Sequence, residues 1–482
     1  MALGEVDYGL MGVVGGLTAF VTFFNGVMAS GVGRFYAYSV GEAKNDPVNG
    51  MKKCREWFSV AVIIHTVIPI VLILIGYPIG EWAVRHYLTI PESRVMSCVW
   101  VWRFTSISCF VGMITVPYVA MYGAKQEIAE QTIYGFITNT LNVVFLYYAI
   151  SNPRAWLVPF SAWACFLSVG PGLIMALRSV IKYSECKFSF PRGKIRVMAK
   201  QMLSFSGWFL IGNLAHLLAT QGISIVINKF FGPVVNAAQA IGNALSSQCN
   251  TMSGSLTGAL WPAITNMYGA NEMDKVRTFV YRSCRLGTML ILLFAIPLSL
   301  EVDEVLRLWL VNPPQYTSGL CLIGLIYAVV DMSSLGYAIA VHASGRVAHY
   351  QMSVGGFNLL TLPVALIVAY AGWNVYWIMS SVAILRFLMG LIRIKYARHI
   401  VGLSGGYWLL KILMPIIAVS VVSLLAGSLI KSVVSPSFGR VCLTTAVVEF
   451  CFVPLAWKLM LSEEERLFVW MKMGSLIKRK VI

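Results

Sequence analysis

Charge is scarce in this chain: 12% of its 482 residues are Asp, Glu, Lys or Arg, against 58% hydrophobic, and only 20 are acidic. That excess of apolar surface is more than one soluble core can bury, which excludes an ordinary soluble domain and a disordered one and leaves a polytopic membrane protein. Metal and redox motifs are missing as well. The ten cysteines (54, 98, 109, 165, 186, 249, 284, 321, 442 and 451) contain no C-x-x-C, and the six histidines show no ligand spacing. No structural metal, disulfide framework or cofactor is therefore expected. The start carries no signal peptide pattern.

What is present is apolar run after apolar run. Windows of about 20 residues give thirteen candidate spans, at about 9–33, 58–80, 99–122, 133–151, 156–177, 204–228, 235–262, 284–303, 318–342, 352–371, 373–395, 412–431 and 438–457. The net charge of +17 would suggest nucleic acid in a soluble protein. Here its distribution decides: alternate joints hold 28 of the 37 Lys and Arg, including Arg34, Lys125, Arg282, Arg393 and the tail. The other joints hold eight, Arg103 among them, and Arg386 lies within a span. The rich side is read as cytoplasmic, with the C-terminus inside and no nucleic acid as partner.

The chain also repeats itself. A shift of 228 superposes Gly4 on Gly232, Gly26 on Gly254, Gly41 on Gly269, Asp46 on Asp274 and Pro69 on Pro297; a shift of 219 matches Tyr118 with Tyr337, Ala124 with Ala343 and Asn139 with Asn358. Equivalent spans are six apart, so the two sets share one orientation, as in a parallel-repeat transporter. The expected domains are 1–200 with a basic linker at 178–200, 201–400, and 401–482 with two further helices and a basic tail. The linker is expected to lie along the anionic inner leaflet. Nothing precedes 9–33 to match the span at 204–228, so a first helix is expected to be missing and Met1 to be internal to a longer frame.

Leu3-Gly4-Glu5-Val6-Asp7-Tyr8-Gly9, Gly15-Gly16, Asn25-Gly26 and Arg34-Phe35 resemble the second-helix region of bacterial polysaccharide flippases, of the superfamily that includes multidrug and toxin extrusion (MATE) transporters. Asn236-Ala237-Ala238-Gln239-Ala240, Leu260-Trp261-Pro262 and Gly269 look like the equivalent helix of a second lobe. The resemblance implies an all-α membrane fold: two six-helix lobes around a central cavity, two added C-terminal helices, and a bacterial inner-membrane location. It also implies transfer of lipid-linked oligosaccharide between leaflets.

Polar residues at helical spacing mark where a cavity could lie. Asn213, His216, Thr220 and Ser224 share one face, with Gln221 at its border; Gln239, Asn243, Ser246 and Asn250 share another, with Thr18, Thr22 and Asn25 among the repeat mates of that second helix. Such residues also bridge packed helices. Asp331 stands in the middle of an apolar span with Tyr327, Ser334 and His342 on its face. A carboxylate there costs roughly 2.5 to 3.5 kcal/mol on insertion scales, which marks it as a site for a coupling H+ or Na+, with His342 and Tyr327 beside it. The alternative is hydrogen bonding to neighbouring helices. The polar faces read as mostly neutral, with only His216 and His342 titratable to positive, while Arg34, Arg103 and Arg386 are considered as partners for a pyrophosphate. Arg34 reads as a cytoplasmic anchor, Arg103 beside Trp100 and Trp102 as interfacial, and Gly12-x-x-x-Gly16 as a packing contact.

Three functions fit in descending order: a flippase of lipid-linked oligosaccharide, with membrane lipids and a coupling ion as partners; a cation-coupled exporter of small amphiphiles; and a membrane-embedded glycan polymerase or acyltransferase. The last needs a large outer loop carrying clustered acids, His or Arg, and the outer joints are short. The chain is expected not to be an enzyme.

Overall fold

A computed structural model describes residues 4–471 apart from 89, 153–155, 191–192, 311 and 468–469, with the side chains of 4–9, 12–13 and 15–22 also outside the description. The fold is all-α, with no strand among the described residues. Its helices are α1 (Gly4–Glu42), α2 (Pro47–Trp82), α3 (Val95–Ala124), α4 (Ile128–Ser151), α5 (Leu157–Lys182), α6 (Ile195–Gly269), α7 (Met273–Leu300), α8 (Val302–Leu310), α9 (Thr317–Ser344), α10 (Ala348–Tyr370), α11 (Val375–Val401), α12 (Gly405–Trp408), α13 (Met414–Val433) and α14 (Phe438–Leu459).

Among the described residues, 11 helices are long and apolar enough to cross a membrane. The sequence suggests thirteen spans, and one part of the difference has a physical cause. Two of the thirteen, 204–228 and 235–262, are limbs of α6, which bends at Gly232 (φ 85°, ψ 173°). Only glycine takes that backbone without strain, and the following Pro233 lacks an N–H, so the corner needs no separate loop. The run at 9–33 lies in α1.

The helix boundaries follow the two repeat registers. A shift of 228 carries α1 onto 232–270, the second limb of α6, and a shift of 219 carries α3, α4 and α5 onto α9, α10 and α11 to within three residues at each end.

The chain forms two compact units, one of residues 1–210 with 265–272, the other of 211–264 with 273–482. In the first, α3 packs on α1, α2 and α5. Tyr36, Phe58, Met113, Met121 and Tyr122 are fully buried there. Pro117 in α3 has no N–H to offer the Met113 carbonyl one turn back; the buried His65 of α2 meets that carbonyl with Nδ1 at 3.0 Å. In the second unit, α9 packs on α7 and α11, and α13 and α14 pack on each other and on α7. Buried charge ties the added helices down. Glu301, 1% exposed, accepts from Arg440 (2.8 and 3.1 Å) and Thr444 (2.8 Å) on α14, while Glu465 accepts from Arg282 (2.6 Å) and Arg285 (3.1 Å) on α7.

One crossing in the first unit obeys the repeat directly. A Cβ on Gly41 would stand 2.0 Å from the Asn266 carbonyl oxygen, and one on Gly269 would stand 2.2 Å from the Tyr38 carbonyl oxygen. Gly41 and Gly269 are 228 apart, as are Tyr38 and Asn266, so the contact maps onto itself. Asn45 donates to the Ala270 carbonyl at 2.8 Å and Lys44 pairs with Glu272 at 3.5 Å beside it.

Candidate functional site

The second unit encloses a cavity of about 340 Å³ walled by the middle of α6, by α9, α10 and α11. Its size falls within the usual range for small-molecule sites. His216, Thr220, Gln239, Asn243, Ser246 and Asn250 line it from α6, Tyr327 from α9, Asn358 and Thr361 from α10, and Arg386 from α11. Helix α6 comes close to α9 at Gly324, where a Cβ would meet the Ser246 hydroxyl at 2.4 Å. Ser246 turns that hydroxyl to the Gly242 carbonyl (2.9 Å), as serines in buried helices commonly do.

Charge enters from α9 and α11. Tyr327 and Asp331 are one helical turn apart, and Arg386 and Arg393 are two turns apart, so each pair shares one face of its helix. Asp331 is therefore not a lone carboxylate. Its Oδ1 lies 2.9 Å from Arg393 Nη2 and 3.5 Å from Arg386 Nη1. Arg393 sits deeper, its side chain 7% exposed, and also donates to the Asp331 carbonyl (3.1 Å) and the Ser334 hydroxyl (3.2 Å). Arg386 donates to the Tyr327 hydroxyl and reaches His216 Nδ1 at 3.3 Å. A guanidinium only donates, so that His216 nitrogen must accept, which makes the ring neutral with its proton on Nε2.

Two readings of the sequence change here. Arg393, counted with the cytoplasmic joint, is buried in the second unit against Asp331. The cavity wall, read from helical faces as neutral apart from its histidines, carries the guanidinium of Arg386. The signal for both was in the sequence: two arginines seven apart on an apolar helix must present one charged stripe.

Of the residues expected to line a cavity, His216, Gln239, Asn243 and Asn250 come together on this wall. Asn213 and the exposed Gln221 are not among its lining residues. Gln221 lies at the border of the polar stripe, where a small change in helix rotation turns a side chain away. Asn25 is half-buried in the first unit, its Nδ2 4.0 Å from where a Cβ on Gly112 would stand. Thr18 and Thr22, with Gly12 and Gly16, fall outside the described side chains. Tyr327 joins Asp331 through Arg386, whereas the buried His342 sets its ring at a tilt to Trp261 (5.1 Å) and edge-on to Tyr350 (5.4 Å). In the first unit Arg103 lies over Trp100 (4.8 Å) and 3.5 Å from Glu81, and Arg34 lies over Tyr38 (5.0 Å) and Phe205 (5.7 Å). Among the described residues no group of His, Cys, Asp and Glu could hold a metal ion.

No protein-family model and no curated protein matches the chain in sequence. Solved structures do match its fold. A MATE transporter in the bent conformation superposes with a TM-score of 0.70 at 12% identity, over 83% of this chain and 90% of that one. A superfamily transporter from Pyrococcus furiosus gives 0.64 at 12% identity, over 83% and 91%. The transporter VcmN of Vibrio cholerae, in its bent form, gives 0.61 at 16% identity, over 83% and 93%. The chain is thus an all-α polytopic protein with the fold of these superfamily transporters.

Proposed function

We propose that the chain is a transporter that carries lipid-linked oligosaccharide from the inner to the outer leaflet of a bacterial inner membrane by alternating access, taking the anionic phosphate of the carrier lipid at Arg386. One observation carries this: around the cavity two arginines face one aspartate, and no carboxylate is among the described lining residues. With His216 neutral, the site keeps one positive charge in excess, and a buried unpaired charge is costly until an anion joins it. Guanidinium suits phosphate because its forked donors match two oxygens at once. The amides of Gln239, Asn243, Asn250 and Asn358 give a sugar both donors and acceptors. The proposed orientation puts the C-terminus in the cytoplasm, on the side of the 28 Lys and Arg.

The second reading is cation-coupled export of small amphiphiles. One neighbour is a multidrug resistance MATE transporter, but a cationic drug would meet net positive charge here. For the Pyrococcus furiosus protein, a reversed polarity of the binding pocket suggests a different function. Binding of a polyprenyl diphosphate sugar and of a cationic dye to the purified protein separates the readings. Saturable binding of the diphosphate, lost in Arg386→Gln, supports the proposal; binding of the dye alone overturns it.

A further inference from the structure

Arg386 has more partners within reach than it can satisfy well. Its guanidinium touches the Tyr327 hydroxyl and lies 3.3 Å from His216, but its ion pair with Asp331 is long at 3.5 Å, against 2.9 Å for Arg393 with the same oxygen. Arg393 is bound three times over, to the Asp331 carboxylate, the Asp331 carbonyl and Ser334. Arg386 alone of the two also lines the cavity. The two arginines therefore differ in kind, one fixed and one shared.

We infer that Asp331 is the empty cavity's own anion: it holds Arg386 loosely while the site is vacant and yields it to the substrate phosphate on binding. This rests on the anion-binding reading above and assigns Asp331 a role other than cation coupling. The logic is competitive. A free Arg386 would leave a guanidinium unpaired in a buried wall, which is unfavourable, so the aspartate lowers the energy of the vacant site. Bound phosphate offers two oxygens to Arg386, and Asp331 then remains on Arg393. The site carries one positive charge in excess without substrate, and the bound anion removes that excess. Such an internal competitor weakens binding but permits release, because the departing anion is replaced at once.

The test uses the full-length protein in detergent with farnesyl diphosphate as probe, and transport of the lipid-linked substrate in reconstituted vesicles. Asp331→Asn is expected to bind the probe about tenfold more tightly, a change of about 1.4 kcal/mol, and to turn over more slowly. If Asp331→Asn does not fold, Asp331→Asn with Arg393→Gln restores the original balance of one excess positive charge, and it too should bind more tightly than the native protein. Equal or weaker binding in the folded variants overturns the inference, as does loss of dependence on a proton or sodium gradient with affinity unchanged. Arg386→Gln separates this failure from that of the underlying reading: undiminished binding there sinks the anion site itself.

Discussion

The two units share one helical plan and divide its chemistry unequally. Helix α3 packs on α2 and α5 as α9 packs on α7 and α11. Yet the 219 register that aligns them puts Gly112 at the place of Asp331, Ser108 at Tyr327, Leu167 at Arg386 and Ile174 at Arg393. Among the described residues the first unit buries one charged side chain, Glu185, which lies beyond its spans; the second buries Arg285, Glu301, Arg393, Arg440 and Glu465. Among the described residues, then, the first unit packs α3 on α5 with no buried charge between them. Where charge does occur between α9 and α11, stability alone is a poor explanation of it.

The sharpest way to break that comparison is Arg393→Gln. It takes from Asp331 its 2.9 Å partner and leaves only the 3.5 Å pair with Arg386; loss of one side of a buried ion pair costs up to about 3–5 kcal/mol, so the apparent melting temperature in detergent should drop strongly. Ile174→Ala, at the exposed matching position of α5, should change stability by no more than about 0.5 kcal/mol. Next in size are Gly41→Ala and Gly269→Ala. Each methyl would have to displace backbone, and overpacking of this kind costs about 1–3 kcal/mol. The two losses should be similar in thermal unfolding, and a large disparity would break the reciprocity of the crossing.

A third experiment sharpens the map of the cavity. In a background without native cysteines, Asn243→Cys and Asn250→Cys should react with a small hydrophilic thiol reagent, and polyprenyl diphosphate should protect both. Gln221→Cys should react with no such protection. Protection at Gln221 would redraw the cavity wall.

The smallest effect belongs to the first unit. Burial works to raise the Glu185 carboxyl, but the Lys125 ammonium at 2.5 Å, with a backbone N–H and Ser184, outweighs it and holds the group below its ordinary value of 4.5. A carboxyl depressed in the folded state contributes stability above its unfolded value and loses it as pH falls through the folded one. Acid melting below about pH 4 should therefore lose a contribution on the order of 1 kcal/mol that Glu185→Gln no longer shows.

Much of this architecture is legible in the sequence. Apolar runs and punctuation such as Gly41, Gly269, Pro69 and Pro297 report local physics, so spans and repeat registers can be read without a structure. The polar stripes on the two limbs of α6 are legible too, since Gln239, Asn243 and Asn250 follow one helical period and His216 and Thr220 another. What periodicity cannot supply is which face of one helix meets which face of another. Asp331 thus reads as solitary while its partners stand 55 and 62 residues further on. Arg393 misleads for a second reason: near the end of a span a charge counts as topology, whereas α11 runs on to Val401 and keeps it inside.

The crossing of Gly41 and Gly269 has the form of an isologous contact, in which one patch meets its own equivalent across a two-fold axis. In a single chain the two patches need not be alike; here both hold the small residue that lets backbone touch backbone. A half-length chain carrying this seam would need no separate partner surface, because a second copy of itself would supply it. Within one polypeptide the glycine pair thus forms the kind of self-matching contact that holds a symmetric dimer together.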